Sequence, residues 1–231
     1  MDAPREDPLL AYARRLEEAD LALSRAADEV EELRRETVAV RARAQEILVL
    51  LERLPDDRAA AEESVRAAER ELGRRSEELR AAEAELAEAE RRRDEERVAA
   101  ARRAVVRTGD AATVAEGRLD RARAVREGIE REAERARRET PEVERRARAL
   151  AGRLASAPRV AAHAAEPPAE GVAGALAWAS RAEAALFVAR GGLDGERERV
   201  VREANELGAS ALGEPLGATS VALVRERLER R

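Results

Sequence analysis

An all-α fold built from long paired helices is what this sequence predicts, and three observations predict it. Alanine, glutamate, arginine and leucine make up 161 of the 231 residues, well beyond the half-share that marks long helices and coiled coils. Leu, Ile, Val and Phe together number only 45, too few for a thick globular core. Apolar residues also recur at an average of about 3.5 positions, the period of a helix wound against a partner helix. A long antiparallel coiled-coil hairpin or a three-helix rod, with a small C-terminal helical region, satisfies all three.

Residues 1–8 form a tail. They are acidic and lack an apolar stretch, so they do not read as a signal peptide. The seam begins at Leu9. Steps of three and four from there meet Leu9, Tyr12, Leu16, Ala19, Leu23, Ala26, Val30, Leu33, Thr37, Val40, Ala44, Ile47, Leu51 and Leu54, with no charge among them. This stretch is expected to be one helix, 9–54. Pro55 should stop it, and Asp56 and Asp57 offer caps to the next helix.

The second helix is expected at 58–107, antiparallel to the first after so short a turn. Its seam runs Ala61, Val65, Ala68, Leu72, Arg75, Leu79, Ala82, Leu86 and Ala89, then fails at the eight consecutive charges Glu90–Arg97. Such a run reads as a solvated helix face with local ion pairs, a shift of register, or a binding patch. A new register starts at Val98 and continues through Ala101, Val105, Ala115, Leu119, Ile129, Ala133, Val143, Leu150 and Leu154 to Ala157.

Thr108-Gly109-Asp110 and Thr140-Pro141-Glu142 cut across that register as turn signals. If the first is a turn, a third helix spans 110–157, matching the others in length, and a three-helix rod results. If the register wins, a longer second helix makes a two-helix hairpin. Residues 9–157 are the rod either way.

After Pro158 the texture changes. Charged residues fall from 46% of residues 1–157 to 28% of residues 158–231, and eight of the thirteen glycines lie in the later part. Residues 158–174 read as a linker stiffened by Pro167-Pro168. The small C-terminal region, 175–231, is expected to hold three short helices: about 175–190 ending at Gly191-Gly192, about 194–207, and one after Thr219. Trp178 and Phe187 place two of the three aromatic residues in the first of these. They read as the core of a helical cap or, together with Leu186, as an anchor for a protein partner. Arg225, Arg227, Arg230 and Arg231 form a basic end interleaved with Glu226 and Glu229, suited to a helix C-terminus.

Several chemistries are excluded by residue type. All 44 basic residues are arginine, so a P-loop lysine, a kinase lysine and a Schiff base have no side chain to use. The chain has no cysteine, which removes thiol nucleophiles, thiolate metal sites and disulfides. The single histidine, His163, sits in an alanine-rich stretch beside Pro167-Pro168 and reads as an exposed linker residue rather than a general base. No enzyme activity, cofactor site or metal site is therefore expected. No run of apolar residues is long enough to suggest a membrane span. A net charge of −5 with interspersed signs gives nucleic acid little to grip. The expected setting is cytoplasmic.

The seam of residues 9–157 resembles the coiled-coil arms of SMC-type chromosome proteins, without their ATPase heads. That resemblance implies a structural role, with DNA association as one expectation. The residues themselves predict a scaffolding protein that self-associates through the rod, a dimer first of all, with Leu9, Tyr12, Leu16, Leu23, Val30, Leu33, Val40, Ile47, Leu51, Leu54, Val65, Leu72, Leu79 and Leu86 as its coiled-coil seam, the helices pairing within one chain or between two. They predict that its C-terminal region holds a partner. A DNA-associated coil and a peripheral membrane-surface scaffold are the alternatives.

Overall fold

A computed structural model describes residues 7–157 and 159–230. The expected tail 1–8 lies outside the described residues as far as Glu6, as do Pro158 of the linker, Arg231 of the basic end and the side chain of His163. The fold is all-α: helix α1 spans Pro8–Arg92, α2 spans Glu95–Leu154, α3 spans Gly171–Leu212 and α4 spans Val221–Glu229. A single 3-10 turn, Ala162–Ala164, lies between α2 and α3.

The helix ends expected at Leu54 and Arg107 are not there. α1 runs through Pro55, and α2 runs through both Gly109 and Pro141. Proline inside a helix removes one backbone bond and costs about 3 kcal/mol. Here the neighbouring helix compensates. Leu54, Ala61 and Val65 stay buried on either side of Pro55. Arg58, three residues on, grips Glu130 of α2 with two bonds of 2.8 and 2.6 Å. At the second place the turn-forming side chains are absorbed by the helix itself. Thr108 donates to the Ala104 carbonyl at 3.0 Å, and Thr113 to the Gly109 carbonyl at 3.1 Å. The unbroken register decided both places: the helix expected at 58–107 is divided between α1 and α2, and the one expected at 110–157 is part of α2.

The turn falls instead inside the charged run, at Arg93 and Asp94. Arg93 adopts the left-handed conformation, φ 55°. Its N–H bonds the Glu90 carbonyl at 3.1 Å, and the Asp94 N–H bonds the Ala89 carbonyl at 3.3 Å. This pair of bonds is the Schellman closure of a helix. Asp94 then caps α2, its Oδ1 accepting the Arg97 N–H at 3.1 Å. Eight charges in a row suit a turn, because in a turn every one of them reaches water.

The chain divides into two compact units, one made of residues up to Glu46 with Thr140 onward, the other Ile47–Glu139. The second is a two-helix region. The ion pairs Arg53–Glu132, Arg58–Glu130, Arg123–Glu69 and Arg102–Glu90 run in opposite senses along its helices, which fixes them as antiparallel. Between them lie mostly alanines, with a small cluster of Val65, Leu119, Ala122, Ala68 and Leu72. Leu72, Leu79 and Leu86 are only partly buried, and Arg126, in register with the seam, is exposed.

The first unit is a three-helix region. The start of α1 and the end of α2 are joined by Arg153, whose Nη1 lies 2.6 and 2.7 Å from the Glu36 carboxylate oxygens. α3 adds the third segment and is held to α1 by Arg41–Glu183 at 2.9 Å and Arg197–Asp20 at 2.7 Å. Val30, Leu33, Thr37, Val40, Ala44, Val143, Leu150, Leu154, Trp178, Leu186 and Leu193 are all buried here. Thr37, the polar member of the seam, donates to the Leu33 carbonyl at 2.8 Å and so carries no unmet hydrogen bond.

The two helices expected at 175–190 and 194–207 are one. α3 passes through Gly191-Gly192 and ends at Gly213, in the left-handed conformation at φ 73°, with its N–H on the Ala209 carbonyl. α4 packs back on α3, and Leu10, Leu16, Leu216, Val221, Val224 and Leu228 close a second core around the start of α1. Gly208 permits that approach, since a Cβ there would come within 2.1 Å of Leu216 Cδ1. Asn205 clamps the connecting loop, accepting from the Ala218 N–H and donating to the Ala218 carbonyl, both at 2.9 Å.

Candidate protein-interaction surface

Three residues were singled out as a partner anchor, and the structure separates them. Trp178 and Leu186 have no exposed surface. Trp178 Nε1 donates to the Ala164 carbonyl at 3.1 Å, pinning the 3-10 turn against α3. Both are core, because they lie on the buried face of α3. Phe187, one position on from Leu186, points the other way and is 65% exposed, and Val188 beside it is 72% exposed. The Arg34 guanidinium sits 5.7 Å from the centre of the Phe187 ring, within reach of a cation–π contact.

These two residues belong to a longer face. Ala173, Ala177, Ser180 and Ala184 precede them on the same side of α3, and Gly191 and Gly195 follow, all of them exposed. Their spacing of threes and fours places them on one stripe. Only Arg181, at its edge, is charged, in a chain that is 40% charged overall. The opposite face carries Ala175, Trp178, Ala182, Leu186, Ala189 and Leu193, all buried. Between Val172 and Ala189 the helix thus carries only two charged residues, Arg181 and Glu183. Within the chain it is covered on one side. A Cβ built on Gly191, Gly192 or Gly195 would meet nothing within 4 Å. Glycine inside a helix costs roughly 1 kcal/mol relative to alanine, and Gly73, Gly109, Gly117, Gly128 and Gly152 stand in equally open space.

The expectation that no segment is apolar enough to span a membrane needs correction on one point. An 18-residue window of α3 reaches a mean hydropathy of 1.3, so the helix is long and apolar enough by composition, with 44% of that window buried in the chain. The sequence reading missed this by giving residues up to 174 to a linker, whereas α3 begins at Gly171.

Elsewhere the surface is a lattice of ion pairs. Arg74 and Arg75 both hold Glu71. Arginine contacts keep the Glu71, Glu63 and Glu130 carboxyls below their ordinary value, the hydrogen bond being the main cause in each case. Arg225 of the basic end pairs with Glu17 at 2.9 Å, and Arg230 pairs with Glu226. In the three-helix region Tyr12 donates to Glu203, which raises the phenol above its ordinary value. Among the described residues no group of three or more His, Asp and Glu side chains is placed to hold a metal ion.

Leu16, Val30, Leu33, Val40, Ile47, Leu54 and Val65 are buried, and Leu9, Tyr12, Leu23, Leu51, Leu72, Leu79 and Leu86 are partly buried. They are used inside the chain, between its own helices. The outer face of α3 is the surface that sequence reasoning missed. Its signal was present as a second set of small uncharged residues in register with Phe187, on the far side from Trp178. Comparison with known proteins gave no match to a family model, a curated protein or a solved structure.

Proposed function

We propose that this chain is a non-enzymatic structural or scaffolding protein that self-associates and holds a protein partner. The observation that carries this reading is the uncharged outer face of α3, with Phe187 and Val188 exposed at its middle. A large uncovered apolar stripe on a soluble helix marks an interaction site. Sedimentation equilibrium of the full chain at micromolar concentration tests the reading. It predicts a dimer, and a strictly monomeric species contradicts it.

A second reading, a DNA-associated coil of the SMC-arm kind, draws on residues 97–109, which carry four arginines and no acid. Arg97 and Arg102 are paired with Asp94 and Glu90, while Arg103 and Arg107 flank the exposed Val106 without an ion pair. Phosphate contacts of this kind predict duplex binding that weakens steeply with salt. No binding at low salt removes this second reading.

A further inference from the structure

We infer that the groove between α1 and α2 in the two-helix region, running from Ser64 to Arg75 on α1 and from Asp110 to Val125 on α2, takes an acidic helix of a protein partner. The inference rests on the partner-holding reading above and names the surface and the chemistry of what it holds.

The groove is continuous, since Glu71 and Arg118 line both of its halves. Its α1 wall begins with small residues, Ser64, Ala67 and Ala68. Its α2 wall belongs to a longer stripe. Ala104, Arg107, Ala111, Val114, Arg118, Arg121 and Val125 follow one another at steps of three and four. Each stands one position before a residue of the seam. All seven are exposed or partly buried, with Val114 at 53% and Val125 at 59% exposure. Beside the seam it turns to α1, α2 thus carries a second stripe at an average of about 3.5 residues. That period is the one a helix lying alongside requires.

Charge defines the helix that fits. The stripe holds three arginines and no acid, whereas the flank one position after the seam carries Glu116, Asp120 and Glu127. Arg107, Arg118 and Arg121 make no ion pair or hydrogen bond with the described residues. Of the two acids that line the groove, Glu71 is already held by Arg74 and Arg75, and Asp110 lies at one end. A second copy of the stripe brings only further arginines. The occupant is therefore a different helix, with small or aliphatic residues on the face that enters and glutamate or aspartate along its edges. Carboxylates so placed take guanidinium groups in paired bonds, and the arginine stems add apolar cover. A nucleic-acid duplex engages the arginines through its phosphates but leaves Val114 and Val125 uncovered, so the apolar half of the stripe favours a helix.

The test uses the full chain and a synthetic helical peptide of about three heptads, with alanine and leucine on one face and glutamate on both edges. A twin peptide carries glutamine for every glutamate. Fluorescence anisotropy is expected to show the glutamate peptide bound at least roughly tenfold more tightly than its twin, with an affinity that falls as salt rises. Arg118→Glu combined with Arg121→Glu should weaken that binding at least roughly tenfold. Arg80→Glu, at an exposed residue of α1 outside the groove, should leave it unchanged. Helical circular dichroism of both variants should match that of the parent.

Equal affinity for the two peptides, or binding that the paired charge reversal leaves intact, overturns the groove as the site. Duplex DNA bound by the parent and lost in the reversed variant assigns the stripe to nucleic acid and overturns the helix. A photo-crosslinking phenylalanine analogue at Phe187, outside the groove, separates these failures from failure of the reading beneath. A protein crosslinked there in the native cell, with no glutamate-peptide binding, keeps the partner and removes the groove. No protein crosslinked from Phe187 or from Val114 removes both.

Discussion

The two regions of this molecule are made of the same residues and held together differently. In the three-helix region α1 meets both α2 and α3, so its buried stripe is wide. Ala13, Leu16, Asp20, Ala27 and Val30 are buried along the first turns of α1, and Tyr12, Ala19 and Ala26 beside them are partly buried, together a broader stripe than a 3.5-residue seam alone would cover. In the two-helix region each segment meets one partner. Burial narrows to a line of alanines with a few larger residues, and arginine–glutamate pairs run along its flanks. A third helix adds apolar packing, whereas its absence leaves stability to a thin seam and to ion pairs that are individually weak in water.

Core truncation should show the contrast most strongly. Trp178→Ala removes the largest fully buried side chain of the three-helix region and is expected to cost about 3–5 kcal/mol in denaturant unfolding. Leu119→Ala, at the centre of the two-helix cluster, is expected to cost about 2 kcal/mol, at the low end for such a change. Equal losses would break the comparison.

The turn offers changes of opposite sign at adjacent residues. Arg93→Gly relieves the left-handed backbone of a non-glycine residue and should stabilise the two-helix region by about 1 kcal/mol. Asp94→Ala removes the cap of α2 and should destabilise it by about 1 kcal/mol. Both are read as shifts in the urea midpoint.

Acid should act on the ion pairs. Arg58, Arg70 and the Arg74–Arg75 pair hold the Glu130, Glu63 and Glu71 carboxyls below the ordinary value of 4.5. A lowered folded value means stability that is present above the ordinary value and lost as pH falls through the folded one. The two-helix region should therefore loosen on acidification, and Glu130→Gln should blunt the response. Amide exchange at two pH values, corrected for intrinsic rates, checks this.

The smallest effect is local. Tyr12 is the single tyrosine of the chain, and its bond to Glu203 raises it above 10.0. A raised value favours the protonated phenol, so this contact contributes stability below the ordinary value and loses it as pH rises through the folded one. Tyrosinate absorbance should titrate above 10.0 in the parent and fall back toward that value in Glu203→Ala.

Much of the fold was legible in the sequence. The seam placed most buried positions of α1 and α2, because one residue type at one spacing reports one helix face, but not Ala13, Asp20, Ala27 or Ala151, which a wider packed face buries beside it. The helix ends were less legible. Pro55, Gly109, Pro141 and Gly191 each carry a real local cost, and the sequence does not show that Arg58, Thr108 or a neighbouring helix offsets it. Arg93 and Asp94 form a turn through charge and backbone bonding without a glycine or a proline, so composition hid it.

The anchor was half legible. An aromatic cluster at Trp178 and Phe187 was visible, but only packing separates the core residue from the exposed one. The outer face of α3 stayed hidden because the helix appeared to end in its middle.

Peptide-resolved amide hydrogen exchange of the full chain tests the contrast between the regions most directly. Protection should be greatest across residues 30–44, 143–154 and 175–193, and at least roughly tenfold lower across residues 58–130, where each helix has one partner. Uniform protection along α1, or slower exchange in residues 58–130 than in 30–44, would contradict it.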